Sequence, residues 1–466
     1  MLERLDPKSV PAEVRAVVER LERAGHRAYV VGGCVRDQLL GQAAHDWDVA
    51  TSALPEQVMA LFAHVIPVGV EFGTVSVRDG IADGAPGIET TTFRRDLPYR
   101  DGRRPEGVLF AESIEEDLAR RDFTINALAW DLVRGRLIDP HDGLADLRAG
   151  VVRAVGDPRA RLREDALRML RAVRFAARFD FVLDEGTARA IEADAPRVRL
   201  LSGERVRDEL LKMLAGPNPA TALWMLHELG LLFEVLPELK PTEALPQAKK
   251  GHPHLLSHLI ACCEAVAPGD PVLRLTALLH DVGKVETRAL QPSGQVTFHG
   301  HEQVGAEIAG HICRRLRLGT APSARVASLI GMHMVSGDEV GAKAIRRWVG
   351  RYGEDWVRDL LALRRADHIA SGHRGQNPWA DRMEAELGQV MAEAGALHVR
   401  DLAIGGHDVM EALGIPPGPA VGAALDWLLD AVLDDPVLNE RTALLARLAE
   451  WPGSPARAGE PESAGK

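Results

Sequence analysis

The stretch YVVGGCVRDQLLGQAAHDWDVAT, from Tyr29 to Thr51, decides the fold that is predicted for the first part of the chain. An apolar run ends in Gly32 and Gly33, and two aspartates, Asp46 and Asp48, follow one residue apart. On a strand, residues i and i+2 project from the same face, so a strand here would aim both carboxylates at one point. Paired carboxylates hold Mg²⁺ together with substrate phosphates, which is the arrangement of a phosphoryl- or nucleotidyl-transfer site.

The glycine pair supplies the other half of such a site. Gly32 and Gly33 come where backbone must approach a ligand closely, and their amides, with the N-terminus of the following helix, can cradle a triphosphate. A lone Gly-Gly pair is a weak signal, and a lone DxD is more often a solvated loop. Together and in order within one βαβ-sized unit, they favour a nucleotidyltransferase head.

The charge of the chain limits how it can bind nucleic acid. The 466 residues are enough for two to four domains, and the formal net charge is −11. Proteins that bind nucleic acid indiscriminately are usually basic, so any such surface must be local. One candidate is the segment 148–178, where nine arginines face three acids, and a second is the arginine-rich loop around Arg100.

The chain is expected to be cytoplasmic. No apolar run reaches the roughly 18 residues that a transmembrane helix needs, and the start, MLERLDPKSVPAEV, lacks the apolar region of a signal peptide, so no membrane contact is expected. The four cysteines lack metal-type CxxC spacing and are expected to be reduced and buried: Cys34, Cys262, Cys263 and Cys313. No obligate protein partner is inferred.

The hydrophobic patterns predict an α/β head followed by a largely all-α chain. Strand-like segments alternate with helices at His26–Val31, His45–Ala50, Thr74–Val77 and Gly87–Phe93. From Asp157 onward strand signals vanish, and helices with three- and four-residue apolar spacing take over. The residues from about Pro452 are rich in Gly, Pro, Ser and Glu and are expected to be disordered.

Two further segments of the head carry candidate residues. Glu89 opens the alternating segment ETTTFRRD and is either a third carboxylate beside the aspartate pair or an ordinary surface residue. In RRDFTINALAW, Arg121 is positioned to clamp a triphosphate oxygen, while Asp122 and Asn126 are expected to hold the turn.

The predicted helix REDALRMLRAVRFAARF, Arg163–Phe179, has an unusual face. Asp165, Arg168, Arg171 and Arg174 recur every third residue, so they would form one slanted ridge. A carboxylate and a guanidinium one turn apart can hydrogen-bond the edge of a nucleobase, and the next two arginines can hold phosphates. The plain alternative is a salt-bridged amphipathic helix.

A second constellation lies in the middle of the chain, where eight of the 17 histidines fall between His252 and His333. Imidazoles and carboxylates on helices are a composition suited to transition metals or magnesium. The candidate ligands are His258, His280, Asp281 and Asp367, with His301 and His333 as possible further ligands. His258 is preferred over His254 because HLIACCEAV continues as an amphipathic helix.

Several motifs together carry a specific resemblance. VGGCVRD with DWD, RRDFTINALA, EDALRMLRAVRFAARFDF and ERVRDELLKML resemble the successive motifs of the bacterial tRNA nucleotidyltransferase and poly(A) polymerase family, the class II branch of the DNA polymerase β-like superfamily. The resemblance covers about Tyr29–Leu214. The histidine-rich region resembles the HD-type phosphohydrolase signature, and the segment 401–445 resembles the C-terminal helical segment of family members that carry HD domains.

The resemblance implies a division of labour among the candidate residues. Asp46 and Asp48, with Glu89, would bind magnesium. Nucleotide contacts would come from Gly33 and Arg36, phosphate contacts from Arg121, and base selection from Asp165 and Arg168, supported by Arg171 and Arg174. The HD site would hold a second divalent or transition metal of unknown identity. The implied activity is template-independent addition of CMP and AMP to the tRNA 3′ end from CTP and ATP.

The resemblance also implies the domain boundaries. They are a head at 1–150, a neck with nucleotide-selecting and RNA-binding helices at 151–245, an HD-type domain at 246–375, a C-terminal helical segment at 376–451 and a disordered tail at 452–466.

Three alternatives remain open. The first is an A-adding enzyme or a poly(A) polymerase with the same chemistry, although the acidity of the chain favours a shape-selected tRNA over arbitrary RNA. CC-only addition is disfavoured, because family members of that type lack a flexible loop where this chain has Phe93–Phe110. The third is a regulator with an inactive head, against which the intact Asp46, Asp48, Arg121 and Asp165 speak.

Overall fold

A computed structural model describes residues 1–44, 46–82, 84–96, 107–249, 251–337, 340–373, 377–393 and 396–453. The chain forms two compact units. The first comprises Met1–Lys240, Pro268–Pro271 and Ile312–Leu318, and the second comprises Pro241–Ala267, Val272–His311 and the residues from Gly319 onward. The tail after residue 453 and the middle of the predicted loop, 97–106, lie outside the described residues.

The first unit begins with the expected α/β alternation and becomes helical after residue 157. Its elements are α1 Ala12–Arg23, β1 Ala28–Val31, α2 Gly33–Leu40, β2 Asp48–Thr51, α3 Pro55–Leu61, β3 Val65–Gly69, β4 Thr74–Val77, β5 Ile88–Thr92, β6 Arg94–Asp96, β7 Val108–Phe110, α4 Ile114–Ala119, β8 Ala129–Asp131, β9 Arg136–Ile138, α5 Gly143–Ala149, β10 Val151–Val152, α6 Pro158–Glu164, α7 Leu167–Phe179, β11 Val182–Leu183, α8 Glu185–Asp194, α9 Gly203–Ala215, α10 Pro219–Glu228 and α11 Leu232–Val235. The predicted α/β head with a helical continuation is confirmed.

Seven strands form one mixed sheet in the order β3-β4-β5-β2-β1-β8-β9. Among the described strands of this sheet, β2 and β5 are the one parallel pair, and there Asp48 lies opposite Glu89. Paired residues of neighbouring strands point to the same face, so this register places the two carboxylates side by side. The prediction of one strand through both aspartates was wrong, because β2 begins at Asp48 and Asp46 lies in the segment that precedes it.

The predicted single helix from Arg163 to Phe179 was also wrong. The structure breaks it into α6 and α7, and Asp165 lies at the break with extended backbone, φ −146° and ψ 109°. The Asp165 carboxylate accepts a hydrogen bond from the backbone N–H of Leu167 at 3.0 Å and so satisfies an amide at the start of α7. Asp165 therefore does not share a helical ridge with Arg168.

Several strands escaped the sequence patterns. In the head, β3, β8 and β9 were not predicted, and short paired strands also occur after residue 157, where none was expected. The described strands after residue 157 are two to four residues long, such as β14 with β15, and such short runs carry too few positions for a periodicity to show.

The chain continues beyond Lys240 as a mainly helical unit in which the described residues form two short strand pairs, β12 with β13 and β14 with β15. Its elements are β12 Pro246–Lys249, β13 His252–His254, α12 Leu255–Ala265, α13 Pro271–Leu279, α14 Lys284–Thr287, β14 Ala289–Leu290, β15 Val296–Thr297, α15 His301–Arg315, α16 Thr320–Met332, α17 Ala342–Tyr352, α18 Glu354–Ala370, α19 Pro378–Ala392, α20 Gly406–Leu413, α21 Pro419–Asp434 and α22 Arg441–Leu448.

Two apolar cores hold this second unit. One is built largely from α12, α17, α18 and α19, around buried residues such as Leu360 and Met383. The other lies among α20, α21 and α22, around Leu428 and Leu444. Among the described helices, none combines the length and the apolar character that crossing a bilayer requires.

A buried ion pair ties α7 to α9 in the first unit. The Nε atom of Arg174 donates to Glu209 at 2.6 Å, and the two side chains are only 11% and 3% exposed. A buried pair that loses one partner leaves an uncompensated charge, whereas an exposed pair contributes little.

Replacing Glu209 by Ala is expected to lower the free energy of unfolding of this helical layer by about 3–5 kcal/mol. Glu185→Ala is the matched control, because Glu185 pairs with Arg189 at the surface, and it should cost at most about 1 kcal/mol. Hydrogen exchange of α7 and α9 peptides measures both changes, and equal protection in the two variants would contradict the role of this pair.

Candidate functional site

Three carboxylates meet in a cleft of about 980 Å³ in the first unit. Asp48 and Glu89 occupy paired positions of β2 and β5, and Asp46 lines the same cleft from the segment before β2. Burial, reinforced by the charges of Glu89 and Asp46 and opposed by Arg121, raises the pKa of Asp48 to about 6. Grouped carboxylate oxygens that repel one another fit a hard divalent cation, because the cation relieves that repulsion. The structure thus brings together all three predicted magnesium ligands.

The glycine pair forms the turn into α2 beside these carboxylates. Gly32 has φ +79°, a conformation that favours glycine, and α2 begins at Gly33. A Cβ on Gly32 would lie 2.5 Å from Nη1 of Arg121, so that guanidinium rests directly against the turn. A helix N-terminus and a guanidinium side by side are suited to hold phosphate oxygens.

Arg36 lies in the cleft wall, and its donors are engaged by the protein. It is 4% exposed, its Nε donates to Asp37 at 2.8 Å, and its Nη1 donates to the side chain of Asn126. Its guanidinium also lies 5.0 Å and 4.8 Å from the ring centres of Phe175 and Phe179. Arg36 therefore links α2 to α7, and its predicted nucleotide contact stays a prediction.

Asp122 anchors the next motif to α7. One of its oxygens accepts from Nε of Arg171 at 2.8 Å, and the other accepts from Nδ2 of Asn126 at 3.0 Å. Burial by itself would raise the pKa of Asp122, but Arg171 and Asn126 together hold it well below its usual range. The predicted turn-holding role of Asp122 and Asn126 has a geometric basis, and Arg171 is fixed by this pair.

The predicted base-reading residues both line the cleft. Asp165 accepts from Nη2 of Arg205 at 2.6 Å, in addition to the Leu167 amide. Arg168 is 8% exposed, and its Nη1 donates to the backbone oxygen of Arg161 at 2.8 Å and to the Glu164 carboxylate. A carboxylate and a guanidinium thus face one cleft, each held in a fixed orientation by protein partners.

Two residues of α9 escaped the sequence-based choice of site residues. Arg205 holds Asp165, and Glu209 holds Arg174, so both act on the wall that faces the carboxylates. The signal was present in ERVRDE, because residues four apart lie on one helix face. The pattern showed that the two side chains share a face but did not show what that face packs against.

The histidine-rich region also converges, within the second unit. Its six candidate ligands come from separate parts of the chain: His258 on α12, His280 and Asp281 just after α13, His301 at the start of α15, His333 at the end of α16, and Asp367 on α18. His254 instead precedes α12 as its N-cap residue. His258 lies beside Asp281 and Asp367, and its role as a ligand stays a prediction.

The two carboxylates divide this cluster into two groups. One oxygen of Asp281 lies 3.3 Å from Nε2 of His280, and the other lies 3.2 Å from Nε2 of His301 and 3.4 Å from Nε2 of His333. Asp367 lies 3.2 Å from Nε2 of His258. Asp281 therefore bridges two sets of ligand atoms.

The hydrogen bonds of three imidazoles orient them as ligands. Nδ1 of His280, His301 and His333 lies 2.7–2.8 Å from a backbone carbonyl, which can only accept, so each Nδ1 carries the proton. Each Nε2 then presents a lone pair to the cluster, and none of the three finds a hydrogen-bond partner among the described residues. Lone pairs that face carboxylates repel them, and a metal cation between them would turn that repulsion into attraction.

Asp281 lies at the centre of this cluster and is buried. Nζ of Lys284 also donates to Asp281. Imidazole nitrogens with carboxylate oxygens fit transition metals.

Models of known families match most of the chain. Residues 28–153 match the Poly A polymerase head domain, and residues 180–242 match the probable RNA and SrmB-binding site of polymerase A. Residues 259–399 match the HD domain, and residues 379–448 match the tRNA nucleotidyltransferase domain 2.

Relatives match over nearly the whole length. The chain is 34% identical to the CCA-adding enzyme of Limosilactobacillus reuteri, over 95% of this chain and 98% of that protein. It is 36% identical to that of Levilactobacillus brevis, over 94% and 97%. The crystal structure of the Bacillus stearothermophilus CCA-adding enzyme in complex with CTP superposes with a TM-score of 0.68 at 31% identity, covering 94% and 96% of the two chains. The chain belongs to the family of bacterial CCA-adding enzymes, nucleotidyltransferases of the poly(A) polymerase type, and carries an HD domain.

Proposed function

We propose that this chain adds CMP and AMP to the 3′ end of tRNA, using CTP and ATP, without a nucleic-acid template. The observation that carries the proposal is one cleft that holds a three-carboxylate group and, facing it, the pair Asp165 and Arg168. Full-length relatives that are CCA-adding enzymes support it.

The carboxylate side of the cleft would handle the phosphates. The 3′-hydroxyl oxygen of tRNA attacks the α-phosphorus of the nucleotide, and the bond to the pyrophosphate group breaks. Magnesium held by Asp46, Asp48 and Glu89 would lower the pKa of that hydroxyl and shield the triphosphate charge. Arg121 and the turn at Gly33 would hold the outer phosphates and so orient the leaving group in line with the attack.

The opposite side would select the base. Cytosine and adenine both present an amino group next to a ring nitrogen that accepts a hydrogen bond. The carboxylate of Asp165 accepts from the amino group, and the guanidinium of Arg168 donates to the ring nitrogen. Uracil and guanine present a carbonyl and an N–H in these places, so they leave both side chains unpaired.

The proposed domain boundaries and the cellular location are consistent with this function. We infer a head at 1–150, a neck at 151–245 with Arg171 and Arg174 supporting base selection, an HD domain at 246–375 and a C-terminal segment at 376–451. A cytoplasmic location is supported by four buried cysteines that form no disulfide. An A-adding enzyme is the nearest alternative, and the loop that bears on CC-only addition lies in part outside the described residues.

Asp46→Ala and Asp48→Ala are each expected to reduce nucleotide addition by at least about 100-fold while sparing the fold, because charge compensation at the phosphates is lost. Labelled tRNA that ends at the discriminator base, with CTP, ATP or both, gives the rate and the product length. Glu19→Ala is the control, since Glu19 lies in an exposed pair on α1. Near wild-type addition by a correctly folded Asp46 or Asp48 variant would refute this site.

Arg168→Ala is expected to relax the choice among CTP, ATP, UTP and GTP. A bidentate base contact discriminates by about 1–3 kcal/mol, so selectivity should fall by roughly 5- to 150-fold. Single-nucleotide incorporation kinetics measure this, with Arg189→Ala, a surface arginine, as control. An equal loss for all four nucleotides without misincorporation would assign Arg168 to structure or phosphate binding instead.

We further propose that the HD domain is a metal-dependent phosphohydrolase with a two-metal centre. His258, His280 and Asp367 would hold one cation, His301 and His333 the other, and Asp281 would bridge them. Divalent metals held there would activate water for attack on a phosphate ester. Lys284 would balance the charge of Asp281.

The double variant His280→Ala, Asp281→Ala is expected to keep nucleotide addition, to lose bound metal and to lose hydrolysis of 2′,3′-cyclic phosphates or phosphomonoesters. Elemental analysis and assays with nickel, manganese, cobalt or magnesium measure this, and His311→Ala, an exposed histidine on α15, is the control. Wild-type protein with no bound metal and no hydrolysis under any of these ions would leave the histidines a structural remnant.

A further inference from the structure

An arginine lies at the edge of the HD cluster and has no role in the ligand set. Arg364 lies on α18 one turn before Asp367, so the two side chains share a helix face. Its Nη1 donates to the backbone oxygen of His333 at 2.8 Å. The guanidinium thus contacts the segment that carries His333. It also neighbours Asp367, which faces His258.

The guanidinium is held in place with donors still available. Its carbon lies 5.2 Å from the ring centre of Trp379, and Nδ2 of Asn377 donates to the Arg364 backbone oxygen at 3.3 Å. Nε of Arg364 and Nε1 of Trp379 are both buried without a hydrogen-bond partner in the described parts of the chain. Buried donors without acceptors are costly, and an oxygen-bearing group brought within reach of either donor would relieve that cost.

The charge of the neighbourhood selects the kind of group. Two divalent cations would outweigh the two carboxylates of the cluster, and Arg364 adds a further positive charge beside them. Only an anion relieves that excess, and a planar guanidinium matches the spacing of two phosphate oxygens.

We propose that Arg364 and Trp379 form a phosphate-binding subsite of the HD centre. This subsite would hold oxygens of a phosphate ester whose phosphorus lies next to the metal site. The inference rests on the proposed phosphohydrolase function. It goes beyond that function in assigning the substrate anchor to two residues outside the metal ligands. Arg364 also satisfies the last carbonyl of α16, and that purely structural role is the competing explanation.

The test uses the full chain loaded with manganese and titrated with inorganic phosphate by calorimetry. Arg364→Gln is expected to retain its manganese and to bind phosphate at least about tenfold more weakly, and Trp379→Phe, which keeps the ring but removes the donor, a few-fold more weakly. Arg365→Gln is the matched control. Arg365 is the adjacent arginine on α18, but it pairs with Asp381 and Glu384, so phosphate binding should stay at the wild-type level.

Two results would overturn the subsite. One is unchanged phosphate binding in a manganese-loaded Arg364→Gln variant. The other is loss of manganese together with phosphate binding, which would assign Arg364 to holding His333. If the Gln variant does not fold, Arg364→Lys keeps a cation for the His333 carbonyl and should still weaken phosphate binding several-fold while retaining metal. The metal content of the wild-type protein reports separately on the phosphohydrolase proposal.

Discussion

Repulsion among carboxylates that the sheet forces together is the constraint on which the nucleotide cleft depends. The parallel pairing of β2 with β5 sets Asp48 directly beside Glu89, and Asp46 lines the same space. In the folded chain the Asp48 carboxylate is poorly solvated and lies near the carboxylates of Glu89 and Asp46. Its pKa therefore rises to about 6. A site that is unfavourable when empty binds a divalent cation strongly, and Arg121 supplies the only partial compensation that the Asp48 environment shows among the described residues.

Arginines organise the rest of that cleft, and each has its own acid. Arg171 binds Asp122, Arg174 binds Glu209, and Arg205 binds Asp165. These pairs lock α7 against the head motif on one side and against α9 on the other, so the side chains of the cleft wall are held in fixed orientations. Under the proposed function, this preorganisation would let the protein wall select the base without a template strand.

In the second unit, imidazoles surround a buried carboxylate, that of Asp281. Backbone carbonyls accept hydrogen bonds from Nδ1 of His280, His301 and His333. The Nε2 atom of each ring therefore faces Asp281. The carboxylate group of the first unit offers only oxygen atoms, whereas here four imidazoles stand beside two carboxylates. Carboxylate oxygens are ligands that magnesium prefers, and imidazole nitrogens are ligands that transition metals accept.

The sequence by itself determined the order of motifs, the α/β head, the helical continuation and the candidate residues that the two clusters bring together, because these depend on local periodicity and residue chemistry, but it missed Arg205. Only the tertiary structure decided which residues meet. Asp46 lies outside the strand, and Asp165 lies at a helix break, where its bonds to the distant Arg205 and to the Leu167 amide replace the helical pattern. The bridging position of Asp281 likewise arises from the packing of separate helices, a long-range arrangement that no spacing along the chain encodes.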